Sequence, residues 1–469
     1  MASSFGGINT ALTSLYAQRR GLDVTGQNIA NANTEGYTKQ RVRLQSQTGS
    51  LNPGFYATAT QVGNGVTVSD VERGRNAYLE ERGRTEHANA AYLSSQTTTF
   101  DQIESVLAEP GDTALQARLH DMWDGWNDVA NNWLAPSTRS ALLEKSRTVA
   151  STLNDAHASL GSQFTAGRNT MNAYVDQVNT LADSIATMNN QVVIAQASGL
   201  EVNELQDHRD MAIMKLSELT GATTQSKTNG TINVFIGSSP IVSDFTTRKV
   251  ELAGPPNLDS WSPTSQVTLT WQGTDMPAAV GGTMGSMLDA MNSIIPGISG
   301  QLDDVAESLA ASVNDRVTQG FDINGDPGAP FFSGTNARDI KVAIDDPDKI
   351  AFSTGNRKAV PPELATIDNG KADELAALGD SQSGPDQVYQ RMIGQLGVAA
   401  QSAARRSEIQ DAVRDQIDTS REAESGVNLD EEMTNLLTYQ RGYEAASRVL
   451  TTIDSMLDQL INRTGLVGR

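Results

Sequence analysis

The sequence predicts a mainly α-helical, elongated, multidomain protein with inserted β-structure. Three observations support this fold class. Most of the chain carries apolar residues three and four positions apart, which is the spacing of one helix face. Two stretches alternate between polar and apolar residues instead, as half-buried strands do. The most regular heptads lie at the two chain ends, so we expect those ends to pair as a coiled-coil-like terminal domain.

The two terminal helices are the candidate surface for contacts between subunits. The N-terminal helix has a thin apolar stripe that recurs every seven residues, and the C-terminal helix has one that alternates by three and four. The thin stripe buries too little apolar surface to offset the entropy of ordering about 25 residues, so this helix needs partners on more than one side. An intrachain helix pair is the alternative role for these residues. The stripe residues are Ile8, Leu12, Leu15, Leu22 and Ile29, with Leu436, Tyr439, Tyr443, Leu450, Ile453, Leu457 and Leu460.

The middle of the chain is predicted to be a helical bundle, because its apolar residues follow the helical period. Pro136 separates two of these helices, and Gly221 ends a third. Each apolar stripe is expected to face the core of its own bundle. Helical segments are predicted at about 115–133, 174–192, 201–219, 284–317 and 387–421.

Two regions break the helical period and predict β-structure. In GFYATATQVGNGVTVSDVER, polar and apolar residues alternate on both sides of Gly63-Asn64-Gly65, which predicts a β-hairpin near 55–73. The second region, 222–280, has short β-branched runs punctuated by Pro, Gly and Ser, and indicates a small β-rich insertion. Residues 339–352 are expected to return to it as strands.

These elements predict three domains that are discontinuous in sequence, which also suits the length of the chain. Because the chain ends pair, the middle projects outward from them. The predicted domains are a terminal helical domain of 1–38 plus 428–469, a central helical domain of 39–221, 281–320 and 386–427, and an outer β-rich domain of 222–280 plus about 321–385.

The composition of the chain excludes some kinds of partner and site, and it bears on how the protein could be exported. The formal charge of -21 argues against nucleic acid, because binding phosphates requires a basic surface. The absence of cysteine excludes disulfides, thiolate metal sites and cysteine nucleophiles. The N-terminus does not have the pattern of a cleaved signal peptide, and no stretch is apolar enough for a membrane helix. We therefore expect no membrane insertion, and export, if it occurs, by a route without a cleaved signal.

No sequence motif gives positive support for catalysis or metal binding. The four histidines, His87, His120, His157 and His208, are far apart in sequence. The HRD sequence at 208–210 lacks the asparagine that follows in a kinase catalytic loop. Another segment, within 322–327, imitates the first three ligands of an EF-hand but has proline where glycine is needed. A turn is therefore favoured, and a weak Ca²⁺ site is the minor alternative. Its residues are Asp322, Asn324 and Asp326. We expect no enzyme activity and no cofactor.

The first helix ends in a segment rich in asparagine. Asn28, Asn31 and Asn33 are expected to offer side-chain amides to the last unpaired backbone groups of the helix. Gly36 can take the left-handed conformation that redirects the chain, and from Tyr37 the chain is expected to leave as an extended strand.

The segment NIANANTEGYTKQRV closely resembles the end of the first helix in bacterial flagellar axial proteins, which include rod, hook and hook-associated proteins. The C-terminal segment from SGVNLDEEMTNLLTYQRGYEAASRVL onward resembles their terminal helix. Within this family, the segments GVNLDEE, NELQDHRDMAIMKLSELTG and FDINGDPGAPFFSG resemble hook-associated proteins of the hook-filament junction.

The resemblance implies a structural subunit that joins hook to filament and self-assembles into a helical array. Its terminal helices would line the inner tube of the flagellum, and its β-rich region would face outward. The resemblance also implies export through the flagellar type III apparatus to an extracellular position. The implied partners are further copies of the chain, hook protein, a second hook-associated junction protein, and an export chaperone at the C-terminal helix.

Two other functions remain open from sequence. The chain could be another axial protein, such as a hook or distal rod subunit, although the helical stretch over 138–219 argues against it. It could also be a secreted enzyme or adhesin that uses axial-type ends for export and carries its activity in residues 222–385.

Overall fold

The structure is a computed structural model that describes residues 4–47, 63–360 and 362–463. Its α-helices are α1 Ser4–Ala30, α2 Ala77–Leu107, α3 Leu115–Asn131, α4 Pro136–Ala197, α5 Asn203–Thr220, α6 Gly282–Asp289, α7 Ile295–Val317, α8 Gly370–Ala376, α9 Pro385–Ser425 and α10 Leu429–Arg463. Its strands are β1 Gln40–Ser46, β2 Val66–Arg73, β3 Thr223–Ser226, β4 Ile232–Ile236, β5 Ser239–Ser243, β6 Thr246–Thr247, β7 Val250–Ala253, β8 Thr268–Trp271, β9 Phe332–Ser333 and β10 Lys341–Val342.

Helices α1 and α10 pack against each other as an antiparallel pair. Gly7 on α1 lies beside Ile453 on α10. Gly21, two heptads further along α1, lies beside Tyr439, two heptads earlier on α10. The predicted pairing of the chain ends is therefore confirmed, and so is the mainly helical fold class with small inserted sheets.

Strands β1 and β2 form an antiparallel ribbon against α1, and this corrects the predicted hairpin. The strand after Gly65 is present, but its partner is Gln40–Ser46. The expected first arm of the hairpin, 54–62, lies outside the described residues. The Gly-Asn-Gly sequence predicted a turn, but Asn64 and Gly65 instead extend the ribbon by hydrogen bonding to Gln47. The pattern could not specify which earlier segment pairs with the strand that follows.

The helical body is built around α4, a single helix of 62 residues. Helices α3 and α5 pack on α4, while α2 packs along α9. The predicted apolar stripes face the interior: Leu119, Met122 and Trp126 of α3 are fully buried, as are Val178 and Ile185 of α4. The helix predicted at 284–317 is divided by a π-helical turn over Ala290–Ile294.

Residues 222–280 form two small antiparallel sheets, as the sequence predicts. One sheet has the order β3-β4-β5-β6, and the other pairs β7 with β8. Strands β5, β6 and β7 contact α4. Asn179 on α4 contacts Val250 of β7, so this insertion lies against the C-terminal half of α4.

Residues 321–385 contain less β-structure than predicted. Within 339–352 only Lys341–Val342 forms a strand, which pairs with Phe332–Ser333. The segment packs through aromatic rings and loops instead: the ring centroids of Trp126 and Phe331 lie 5.3 Å apart. Buried Arg139 of α4 donates to the Pro347 carbonyl at 3.0 Å. This segment therefore lies against α3 and the N-terminal half of α4.

Candidate functional site

The apolar residues predicted on the terminal helices lie beside the helix contact and are only partly covered. On α1, Leu12 is exposed and the other four predicted residues are half-buried. On α10, Tyr443 is exposed, and the side chain of Leu460 lies outside the description. The half-buried residues are Ile8, Leu15, Leu22, Ile29, Leu436, Tyr439, Leu450, Ile453 and Leu457.

Small residues form the closest part of the contact between α1 and α10. A Cβ atom on Gly21 would lie 2.5 Å from the ring of Tyr439, so only glycine allows this approach. Ala11, Ala17 and Val24 are the buried apolar residues of α1. The heptad pattern did not predict them, because it consists of large apolar side chains, whereas close helix contacts favour small ones.

Further apolar side chains on the pair are exposed and were not predicted as contacts. Tyr16 of α1 is 69% exposed, which leaves most of a large aromatic side chain in water. On α10 the exposed apolar residues recur along the helix, so its surface is apolar well beyond the face that contacts α1. They are Leu429, Met433, Leu437, Val449, Met456 and Ile461.

The corner between α1 and β1 is held by the buried side chain of Asn28. Its Nδ2 donates to the Gln40 carbonyl at 2.9 Å, and its Oδ1 accepts the Gln40 N–H at 3.0 Å. The same oxygen accepts the Tyr37 hydroxyl at 2.9 Å. Asn28 thus binds the strand leaving the corner and does not cap its own helix, which corrects the prediction. Burial, followed by the charge of Asp207, raises the pKa of Tyr37 to about 12, so its hydroxyl stays protonated as a donor in mildly alkaline solution as well as at neutral pH.

The remaining residues of the corner have distinct roles. Asn31 donates to the carbonyl of Gln27 at 3.0 Å, as expected at a helix end. Asn33 is exposed and has no side-chain hydrogen bond within the described ranges. Gly36 has a φ of 79°, and a Cβ atom there would lie 2.1 Å from the sulfur of Met211. Glycine is required at this turn both for its backbone conformation and for space.

The residues after the corner tie it to the helical body and to α10. The Thr38 hydroxyl donates to Asp207 of α5 at 2.9 Å. The buried Lys39 ammonium lies 2.6 Å from Glu431, near the start of α10. This hydrogen bond to Lys39 lowers the pKa of the Glu431 carboxyl. Two consecutive residues therefore contact two different helices, α5 and α10.

The HRD sequence joins this connection instead of forming a catalytic loop. His208 is exposed, whereas Arg209 and Asp210 are buried. Asp210 lies 2.8 Å from Arg73 of β2 and also pairs with Arg75. The motif therefore fixes α5 to the base of the β-ribbon.

The segment that imitates an EF-hand is a turn in which the Asp322 carboxylate binds backbone N–H groups of the same segment. Oδ1 of Asp322 accepts the N–H groups of Asn324 and Asp326, both at 2.8 Å. The Lys358 ammonium pairs with Asp326. Across the described ranges, no group of three or more His, Cys, Asp or Glu side chains could hold a metal ion.

Three family models match parts of the chain. The model for the flagellar hook-associated protein FlgK helical domain matches residues 100–332. Those for the flagella basal body rod protein and the flagellar basal body rod FlgEFG protein C-terminal match residues 8–38 and 421–463. Flagellar hook-associated protein 1 of Bacillus subtilis (strain 168) is 31% identical over 515 residues, which covers 100% of both proteins. The chain belongs to the flagellar hook-associated protein 1 family.

A second relative in the hook-associated protein 1 family comes from Escherichia coli (strain K12) and is 24% identical over 97% of this chain and 99% of its own. The solved structure of the flagellar hook junction protein FlgK from Burkholderia pseudomallei shares the fold, with a TM-score of 0.62 at 15% identity. It covers 73% of this chain and 99% of that one.

Membership of the hook-associated protein 1 family confirms the resemblance drawn from the terminal and internal motifs. The alternative of a hook or distal rod subunit is wrong. This family consists of structural proteins of the flagellum, and the chain is a flagellar component that assembles with other axial proteins. Among the described residues, no helix is long and apolar enough to cross a membrane.

Proposed function

We propose that this chain is the adaptor subunit that joins hook to filament, and that it assembles through the outer surfaces of the α1–α10 pair. The observation that carries the proposal is the row of exposed apolar side chains on a pair of helices whose mutual contact uses small residues. Soluble proteins seldom leave extended apolar surface uncovered unless a partner binds there. In a helical array each copy meets the next through heterologous contacts, so more than one side of the pair is covered.

The proposed interface includes the residues predicted from sequence and the exposed residues that the structure adds. Mutual packing leaves Tyr16 and Tyr443 available for a neighbouring copy. The corner at Asn28 and Gly36 would set the direction of the β-ribbon relative to this interface. The division into terminal, central and outer domains belongs to the same proposal, with the terminal domain forming the inner tube.

The proposed partners are further copies of the chain, hook protein on one side and a second hook-associated junction protein on the other. An export chaperone would cover the apolar surface of α10 before assembly. We also propose export without a cleaved signal peptide to an extracellular position in the flagellum. The role is mechanical, with neither catalysis nor a cofactor.

Replacing an exposed interface residue tests the proposal in cells that lack the native gene. Tyr443→Asp places a charge on the exposed surface of α10, where the native ring is 41% exposed. We expect hooks without filaments and filament protein released into the medium. Gln440→Asp, an exposed polar position on the same helix, is the matched control and should support normal filaments.

Folding and secretion must be checked separately from assembly. Both variants should have the circular dichroism spectrum of the native protein, because neither side chain is buried. They should also appear outside the cell in equal amounts. Normal filament numbers with Tyr443→Asp would contradict the proposed interface.

A further inference from the structure

A cavity of about 400 Å³ lies where the start of α2, helix α5 and the β3–β4 hairpin meet. It is separate from the apolar surface of the terminal helices. Five of its lining side chains are cationic, in a protein whose net charge is -21. They are Arg73, Arg75, Arg84, Arg209 and Lys227. The cavity thus concentrates positive charge within an acidic protein.

Internal ion pairs neutralise only part of this charge. Arg73 and Arg75 bind Asp210, which lies in the cavity wall, and Arg73 also binds Asp207 at 2.8 Å. Lys227 pairs with Asp244 at 2.7 Å. Three carboxylates line the cavity, but Asp210 and Glu80 already accept from arginines. Fewer carboxylates than cations therefore face the space.

Two guanidinium groups have only neutral partners within the described ranges. Arg84 donates to the hydroxyl of Thr224 at 3.0 Å. Arg209 is 3% exposed and donates through one nitrogen to the side chain of Asn189 and the carbonyl of Gly230. Carboxylates lie near both groups, but none in the described part of the chain accepts a hydrogen bond from either one. A bound anion that accepted directly from them would compensate part of the cost of burying their charge.

Two unsatisfied hydrogen-bond donors also indicate that an anion binds in the cavity. The Nε–H groups of Arg75 and Arg209 are buried and have no hydrogen-bond partner among the described residues. Burial is the main cause that lowers the pKa values of Arg84 and Arg209, and it outweighs the opposing effect of nearby carboxylates such as Asp210. The cavity therefore holds buried N–H donors that exceed the acceptors available to them.

We propose that this cavity binds a small inorganic oxyanion of the phosphate or sulfate type, held mainly by Arg84, Arg209 and the Nε–H of Arg75. Guanidinium groups bind tetrahedral oxyanions through paired N–H donors, which an isolated chloride ion cannot use in the same way. The bound anion would connect α2 with α5 and stiffen the region where the β-ribbon meets the helical body.

Titration calorimetry with inorganic phosphate tests the site in the full chain, at constant ionic strength set with sodium chloride. We expect one phosphate per chain in the native protein and at least tenfold weaker binding in Arg84→Gln. Arg82→Gln is the matched control, because Arg82 is an exposed arginine of the same helix and lies outside the cavity lining. It should bind phosphate as the native protein does.

A second variant distinguishes loss of the binding site from misfolding. Arg209→Lys retains the charge but removes the unsatisfied Nε–H group, and it should also weaken phosphate binding. Circular dichroism verifies that each variant is folded. Two results would overturn the proposal: no saturable binding to the native protein, or equal binding to native protein and Arg84→Gln.

Discussion

Five asparagine side chains on helical segments each bind both the N–H and the carbonyl of one residue in an extended segment. An asparagine amide presents a donor and an acceptor side by side, so it can replace a neighbouring strand at a strand edge. Each contact satisfies backbone groups that small sheets would otherwise leave unpaired. The pairs are Asn28 with Gln40, Asn179 with Val250, Asn189 with Ile232, Asn292 with Val267, and Asn314 with Phe332.

Asn28 provides the sharpest test at this scale. In Asn28→Ala, both backbone groups of Gln40 and the hydroxyl of Tyr37 lose their partner. Leaving buried groups unsatisfied costs about 1–3 kcal/mol, so the Gln40 amide should exchange about 10- to 100-fold faster. Hydrogen exchange measured by NMR or mass spectrometry gives this rate.

Asn33→Ala is the matched control, because Asn33 is an exposed asparagine of the same segment. It should leave the exchange of the Gln40 amide unchanged. Equal exchange rates in the two variants would contradict the role of Asn28 at the corner.

At the scale of elements, His87 joins three helices. Its Nδ1 lies 3.0 Å from Glu218 of α5, and its Nε2 lies 2.9 Å from Asp418 of α9. Arg421 also binds Asp418, at 3.0 Å. The hydrogen bond to Glu218 is the main cause that raises the pKa of His87 above 6.5, and the bond to Asp418 adds to it against the effect of burial.

Stability should therefore fall as pH rises past the ordinary histidine range. The folded-state pKa of His87 lies above the unfolded value, so its contribution is complete below about pH 6.5 and is lost as pH rises through the folded pKa. Urea unfolding at pH 6 and pH 9 should show a larger loss for native protein than for His87→Gln. His120→Gln, at an exposed histidine, should follow the native protein. An identical pH dependence for native protein and His87→Gln would exclude this role.

The sequence predicts the elements better than it predicts their partners. Helical stripes such as the one predicted at 115–133, which includes the buried Trp126, follow a local period and were located correctly. The partner of β2 could not be read in the same way, because pairing with Gln40–Ser46 depends on contacts distant in sequence. Likewise, the amides near Asn28 indicated a helix end, but the strand that Asn28 binds becomes visible only when the chain is folded.

At the scale of the whole molecule, α1 and α10 leave more of their large apolar side chains exposed than α3 does. Within the pair, Gly21 and Tyr439 meet closely while Tyr16 and Tyr443 face outward. Two helices bury little surface against each other, so their backbone hydrogen bonds should open far more readily than those of α3 and α4. Assembly would cover the remaining surface and suppress this opening.

Hydrogen exchange across the chain, compared between dilute monomer and assembled junctions, tests the central claim most directly. We expect amides of 4–38 and 429–463 to exchange at least 100-fold faster than those of α3 and α4 in the monomer. They should become protected in the assembled junction. Slow exchange of both terminal helices in the dilute monomer, unchanged on assembly, would contradict the claim that they are the assembly interface.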